Sequence, residues 1–461
     1  MQSSGKSSRR FARSHLVARC AATIALAGAV LQGQAAHAAN WFELQGIANP
    51  AWGKAHASAW IEPAYTRFDT AEATNHHVPT SDLVGPDFAR SEALTVQRAR
   101  LALRGRLNRH VDYFVSGEFG DNAFTRGGSG YAPRLYDAHV MLSHYLRGVR
   151  IEAGLIRAPG PEDAMSGYMG YAFFAQLPTV IGQLMQPTFY ARSQHYVQVG
   201  SGYLVPEAAM SSNNGFHYPG VEATDWFKVR PDVELSYGVM LGEYGKVFTA
   251  DTGNGPIAAA RVQASWLLGG RKGPYRNDLT AFVWRQQARP SINGVSHALR
   301  RDGLGIVLRR GFMVPGATSL KLEYMEGRGT IIAPPPFQPA TGLLPAQQES
   351  TVYASSSNQA RGYYVSAGVF LNRRVELDAR YDYYDRLPDL AAAERTFSTT
   401  GLGVQYHFTP LTRVAVDYFV RRVRIPNPAA IGAAGSPALN LASSAVAAAG
   451  NELNVYAVIA F

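Results

Sequence analysis

The chain has 461 residues, 44 Lys+Arg against 34 Asp+Glu, a formal net charge of +10 at pH 7, 46% hydrophobic residues and a single cysteine. One thiol excludes an internal disulfide and a zinc-thiolate cluster. The basic excess is scattered, without the stripe and binding module of a nucleic-acid partner, and no run of ~20 apolar residues predicts a transmembrane helix.

The first residues carry targeting chemistry. Lys6, Arg9, Arg10, Arg13 and Arg19 form a positive region with no carboxylate, followed by an apolar run from Ala21 to Leu31 and the small-x-small pattern Ala36-His37-Ala38. Residues 1–38 are therefore expected to be a cleaved signal peptide, 39–54 a short periplasmic segment and 55–461 a transmembrane β-barrel domain. Cleavage removes Cys20 and five basic residues, leaving 39 Lys+Arg against 34 Asp+Glu.

Beyond residue 54, alternation of apolar and polar residues predicts an all-β chain of sixteen strands, each roughly 9–14 residues long, as a tilted membrane-crossing strand requires. The expected strands are 55–68, 92–108, 111–121, 134–145, 149–157, 190–204, 230–244 and 257–268, then 278–288, 299–310, 318–328, 361–371, 375–386, 396–408, 413–424 and 452–461. Tight turns (Asn108–Val111, Leu146–Gly148, Asn372–Arg374, Thr409–Thr412) alternate with long links (Thr70–Ser91, Asn122–Pro133, Ala158–Phe189, Gly329–Ala360, Ile425–Asn451). That sorting predicts an antiparallel up-and-down barrel with turns at one rim and loops at the other. Pro206–Val229 breaks the pattern, since a long link falls where a turn belongs: an insertion, or a misplaced register. Ala333–Pro339 is too Pro-rich to pair as a strand and is expected to be a surface loop.

The strands also predict which face is wet. In 92–108, Ala99, Leu101, Leu103, Gly105 and Leu107 share one face, while Arg98, Arg100, Arg104 and Arg106 share the other. An arginine near the lipid midplane costs ~2–4 kcal/mol, so the row is expected to face an aqueous interior. Likewise Leu377, Ala379, Tyr381 and Tyr383 oppose Glu376, Asp378, Arg380 and Asp382, and Val414, Val416 and Tyr418 oppose Arg413 and Asp417. Tyr145, Tyr363, Tyr383 and Tyr406 near strand ends suit interfacial girdles. The last strand alternates Leu453, Val455, Ala457, Ile459 and Phe461 with Glu452, Asn454 and Tyr456. It resembles the C-terminal strand of bacterial outer-membrane barrels, which implies recognition by the barrel assembly machinery.

Several runs resemble the phosphate-selective porin O and P family of Gram-negative bacteria: Val96–Leu107, Leu135–Val140, Arg150–Gly160 and Arg380-Tyr381-Asp382. The resemblance implies an outer-membrane homotrimer of sixteen-stranded barrels embedded in the lipid bilayer, each with its third external loop folded inward. It implies passive passage of small hydrophilic or anionic solutes such as phosphate, with no cofactor and no catalytic residue. By that analogy the constriction loop is Ala158–Phe189, with Glu162 and Asp163 as its charged members. Arg157 and Arg192 flank it, and Arg98, Arg100, Arg104, Arg106, Arg380 and Arg413 complete the expected pore lining. The stretch from Pro161 to Phe189 has no Lys or Arg, so it departs from a phosphate constriction.

Two readings of the arginine row stand side by side: an anion ladder, or a wall of ion pairs with Asp112, Glu118, Asp137 and Glu152. Glu162-Asp163 could set a transverse field against the arginines or be solvated loop carboxylates. A barrel enzyme would need a nucleophile, base and orienter together. Ser143-His144 point to opposite strand faces, and no G-x-S-x-G elbow occurs. A plugged structural or adhesin barrel is the other alternative. His76-His77 lack further ligands for a metal site.

Overall fold

The computed structural model describes residues 55–69, 92–121, 125–127, 130–166, 174, 176–185, 197–199, 202–205, 216–244, 254–269, 276–292, 295–333, 350–447 and 450–460. Sixteen strands follow one another around a ring. The first eight are β1 (Ala55–Asp69), β2 (Glu92–Asn108), β3 (Val111–Glu118), β4 (Arg134–Leu146), β5 (Val149–Arg157), β6 (His217–Arg230), β7 (Val233–Glu243) and β8 (Asn254–Leu267). The second eight are β9 (Asp278–Ile292), β10 (Leu299–Arg310), β11 (Thr318–Gly329), β12 (Gln359–Phe370), β13 (Val375–Arg386), β14 (Arg395–Thr409), β15 (Thr412–Arg424) and β16 (Asn451–Ala460).

Each strand pairs antiparallel with its neighbour in sequence. β16 returns to β1, with Trp60 opposite Ala460 and Ile61 opposite Ile459. The sheet is thus a closed up-and-down barrel, and closure leaves no unpaired edge to recruit another chain.

The expected strand over 190–204 is not a wall strand. The sixth wall strand is β6, and residues 231–232 form the tight turn to β7. The Pro206–Val229 anomaly disappears, because most of that stretch from His217 onward is strand. The alternation near 200 belongs to a hairpin, Val197–Val199 with Gly202–Val205. Its second strand pairs with Ser350–Tyr353, which pairs with Ile331–Ala333, in a separate four-stranded sheet. Pro219 and the charges Glu222, Asp225, Lys228 and Arg230 obscured the true strand, since an internal proline reads as a strand breaker. Pro219 is nonetheless in register with Leu155. The last long link also holds a helix, α1 (Pro437–Ala447), that alternation did not anticipate.

Burial is inverted relative to a water-soluble protein. Leu101, Leu103, Val262, Val283, Leu304, Ile306 and Leu402 are exposed, Leu402 to 61%, while Arg261, Glu323, Asp382 and Asp417 are fully buried. Exposed apolar surface this extensive marks a face that some other apolar medium covers. Aromatic residues gather at its two margins. Tyr363 lies 5.8 Å from Tyr383 toward the long-link end, and Tyr406 lies 4.9 Å from Phe408 near the turn after β14. Tyr145 stacks on His110 at 4.4 Å beside the turn before β5.

Gly154 in β5 has φ +139°, and a Cβ there would lie 2.2 Å from the Ala138 carbonyl oxygen. Gly154→Ala is therefore expected to cost about 1–3 kcal/mol, read as a lower urea midpoint of the detergent-folded barrel. An unchanged midpoint would show that β4 and β5 shift apart freely.

Candidate functional site

The interior is built from the buried parity of the strands plus a segment that follows β5. The arginine row of β2 meets carboxylates on both neighbouring strands. Arg98 pairs with Glu62 of β1. Arg100 Nε donates to Glu118 of β3 at 2.6 Å, and its guanidinium lies 3.7 Å from the Tyr136 ring. Arg106 Nε donates to Asp112 at 2.6 Å. Arg104 is half-buried on the same face. Asp137 and Glu152, the other expected acid partners, meet histidines instead: Asp137 lies 3.0 Å from His217 Nε2, and Glu152 lies 3.2 Å from His139 Nδ1. The arginine row is thus a charged wall with neighbours of opposite sign, and it retains some water access. Side-chain exposure is 14% for Arg100, 18% for Arg106 and 15% for Asp112.

A cluster of charges that alternation alone did not single out gathers around Glu162. After β5 the chain makes a short helix, Glu162–Ser166. Arg157 Nη1 donates to the Ala164 and Met165 carbonyls at 3.1 and 3.2 Å, closing its C-terminal end, where carbonyls lack helical partners. At the other end the Glu162 N–H donates to Glu323 of β11 at 3.1 Å. The Glu162 carboxylate receives Arg261 of β8 at 2.5 Å and Arg309 of β10 at 2.9 Å. Arg261 also donates to the Gly160 carbonyl at 2.7 Å, and Gln286 of β9 donates to Pro159 at 2.9 Å. Asp163 takes Lys321 of β11 at 2.7 Å. Glu323 is held in turn by Trp284 Nε1 at 2.6 Å and the Tyr364 hydroxyl at 2.8 Å.

Burial would raise the Glu162 carboxyl, but Arg261, Arg309 and Lys321 outweigh it and hold the group down at about 2. Glu162 is therefore not a solvated loop carboxylate: it is buried and bound by two guanidiniums.

A second stretch, 176–185, bonds to β13 and β14. Arg380 donates to the Gln176 carbonyl at 2.6 Å and lies 4.8 Å from the Phe174 ring. The Thr179 N–H donates to Asp382 at 3.2 Å, and its hydroxyl lies 3.0 Å from that of Thr399. Arg386 donates to Gln183 at 3.1 Å. Val180, Ile181, Leu184 and Met185 pack into an apolar cluster with Trp284, Met325, Tyr364 and Phe397. Gly327 and Gly362 make room for them: a Cβ would fall 2.5 Å from Leu184 and 2.7 Å from Val180, respectively.

Of the expected lining residues, Arg413 is buried on β15, Arg157 and Arg380 hold the post-β5 segment, and Arg192 lies outside the described residues. The cations that hold Glu162 and Asp163 (Arg261, Arg309, Lys321) were visible only as isolated charges on the wet parity of their strands.

No protein-family model matches the sequence, and no curated protein does. Among solved structures the chain is similar to the anion-selective porin from Comamonas acidovorans, at 14% identity and a TM-score of 0.50, covering 88% of this chain and 99% of that one. It is also similar to Salmonella typhi OmpF in complex with daunomycin, at 11% identity and a TM-score of 0.50, covering 88% and 98%. At these identities the likeness is one of fold: the chain is built as a sixteen-stranded barrel of the porin type.

Proposed function

We propose that the protein is an outer-membrane porin, a passive water-filled diffusion channel for small hydrophilic solutes with a bias to anions such as phosphate. The observation that carries this reading is the inverted burial of a closed barrel, with charges inward and an apolar band outward. Only a bilayer covers such a band without cost, and only an aqueous interior makes such a charged lining useful. The anion-selective porin among the structural neighbours agrees with the direction of the bias. The signal peptide, assembly through the C-terminal strand and a homotrimeric state belong to the same proposal.

The segments 158–166 and 176–185 act as the constriction. Their bonds to β8, β10, β11, β13 and β14 hold them against the charged wall far from their own strand. The wet path then runs along β2 and β3, where Arg100, Arg106 and Asp112 keep their exposure. Because most row arginines already face carboxylates, the anion preference is modest. Reversal potential across a KCl gradient in planar bilayers tests it. A small shift toward the chloride potential, reduced by Arg104→Gln and by added phosphate, is expected. A cation-directed potential would overturn the bias.

The plugged barrel is the second reading, favoured by one observation. Val180, Ile181, Leu184 and Met185 form a fully packed apolar mass with wall residues. A folded protein that never conducts would select it.

A further inference from the structure

The exposed face of the barrel changes character toward the long-link end of β10–β15. One register row there includes Tyr324, Tyr363, Tyr383, Ser398 and Arg422. Two residues nearer the long links, the next row is Asp302, Glu326, Arg361, Asp385, Thr396 and Arg424. An aromatic margin is thus followed directly by a charged one. Each carboxylate in it is already engaged: Asp302 by Arg285 and, at 2.5 Å, by Arg300; Asp385 by Arg361 at 3.1 Å; Glu326 by Arg328 at 3.8 Å.

Arg422 and Arg424 are different. Both are exposed on the outer parity of β15, and neither pairs with a carboxylate among the described residues. Two apart on one strand face, they stand ~7 Å from each other. They border a recess of ≈ 450 Å³ lined also by Tyr381, Tyr383, Thr396 and Ser398. Val420 lines its lower edge, and Leu402, further toward the turn end, presents exposed apolar surface.

We propose that this recess docks the phosphorylated headgroup of an anionic lipid in the leaflet on the long-link side. The proposal goes beyond the channel reading but rests on its claim that the barrel spans a membrane. Guanidinium forks suit phosphate oxygens, and the hydroxyls of Thr396 and Ser398 suit the polar groups that carry the phosphate. Val420 and Leu402 continue the site downward as a bed for an acyl chain, which a free phosphate would not need. Arg422 and Arg424 have no carboxylate partner among the described residues, so the charge at the recess favours an anion over a second copy of the same surface.

The test uses the full-length folded protein in zwitterionic detergent micelles doped with diphosphoryl lipid A, with retained lipid counted by native mass spectrometry. R422Q/R424Q is expected to lower retained lipid about tenfold, since two solvent-exposed, screened charge contacts are lost. R422K/R424K, which keeps charge without the fork, should fall between. Equal retention by wild type and R422Q/R424Q overturns the site. Displacement of the lipid by inorganic phosphate at equimolar concentration, which would show that the acyl bed adds nothing, overturns the lipid assignment in favour of a free anion. Dissociation of copies in R422Q/R424Q with lipid retention unchanged marks the face as a subunit contact, also against the proposal. Bilayer conductance of the same samples separates the failures. A conducting protein that binds no lipid loses only this site, whereas one that neither inserts nor conducts also loses the membrane reading.

Discussion

Glu162→Gln is expected to release the segment after β5 and to raise both the single-channel conductance and its noise. In the native protein this carboxylate receives Arg261 at 2.5 Å and Arg309 at 2.9 Å, all three side chains buried. Removing one member of such a group leaves uncompensated charge in a dry setting, a loss of ~3–5 kcal/mol. Arg309 keeps Asp278 at 3.5 Å and Arg261 keeps the Gly160 carbonyl, but the site gains one positive charge, so the reversal potential should move further toward the anion side. A double-mutant cycle between Glu162→Gln and Arg309→Gln should show strong coupling, because the two residues share one interaction. Unchanged conductance, noise and selectivity in Glu162→Gln would place the segment outside the conducting path.

The same carboxylate predicts an acid transition with a definite sign. Its ordinary value is 4.5, and in the folded protein it is held at about 2. A depressed carboxyl contributes stability that is complete above its unfolded value and is lost as pH falls through its folded one. The contribution of the Glu162 carboxylate to this contact should therefore be constant from pH 7 to about 5 and weaken between about 4.5 and 2. Glu162→Gln should lack that acid step. A wild-type transition centred near neutrality would have to come from other groups.

Leu402→Arg is the second large effect. Leu402 sits midway along β14, 61% exposed on the outer face, with Val404 and Tyr406 following on the same parity. If lipid covers this face, an arginine there costs ~2–4 kcal/mol, whereas near the margin it costs ~0–1 kcal/mol. Gln287→Arg is the matched control, since Gln287 is exposed on the outer parity of β9 opposite Arg300, within the charged belt. Urea unfolding in lipid vesicles should separate the two variants by most of that difference. Equal, negligible effects in vesicles would mean that water, not lipid, covers the outer face.

Much of the wall was legible because a strand's two faces are written in alternate residues. Leu402 to Phe408 and Leu377 to Tyr383 were assigned to the outer face from parity alone; they are exposed there, except Tyr383, which is half-buried. The arginine row was legible for the same reason, and its pairing with Glu118 and Asp112 follows from neighbouring strands joined by short links. Strand β6 was not legible, because Pro219 and four interspersed charges mask its period, while a loop hairpin at 197–205 imitates one.

The Glu162 cluster was hidden for a different reason. Its partners lie 99 and 147 residues away, and nothing local in Ile257–Trp266 or Leu299–Arg310 marks Arg261 or Arg309 as binding a loop instead of water. Nor do Gly327 and Gly362 advertise that their missing side chains admit Leu184 and Val180. Strand pattern is encoded locally. The path of a loop across the interior depends on contacts that only the closed barrel creates.

The most direct test is whether the folded protein conducts. Purified protein showing heat-modifiable electrophoretic migration, the mark of an intact barrel, should be added to a planar bilayer in KCl. Discrete, stable conductance steps that vanish with heat-denatured protein are the predicted result. A bilayer that stays silent with protein of demonstrated barrel structure would contradict the channel and leave a barrel plugged by the packed 176–185 segment.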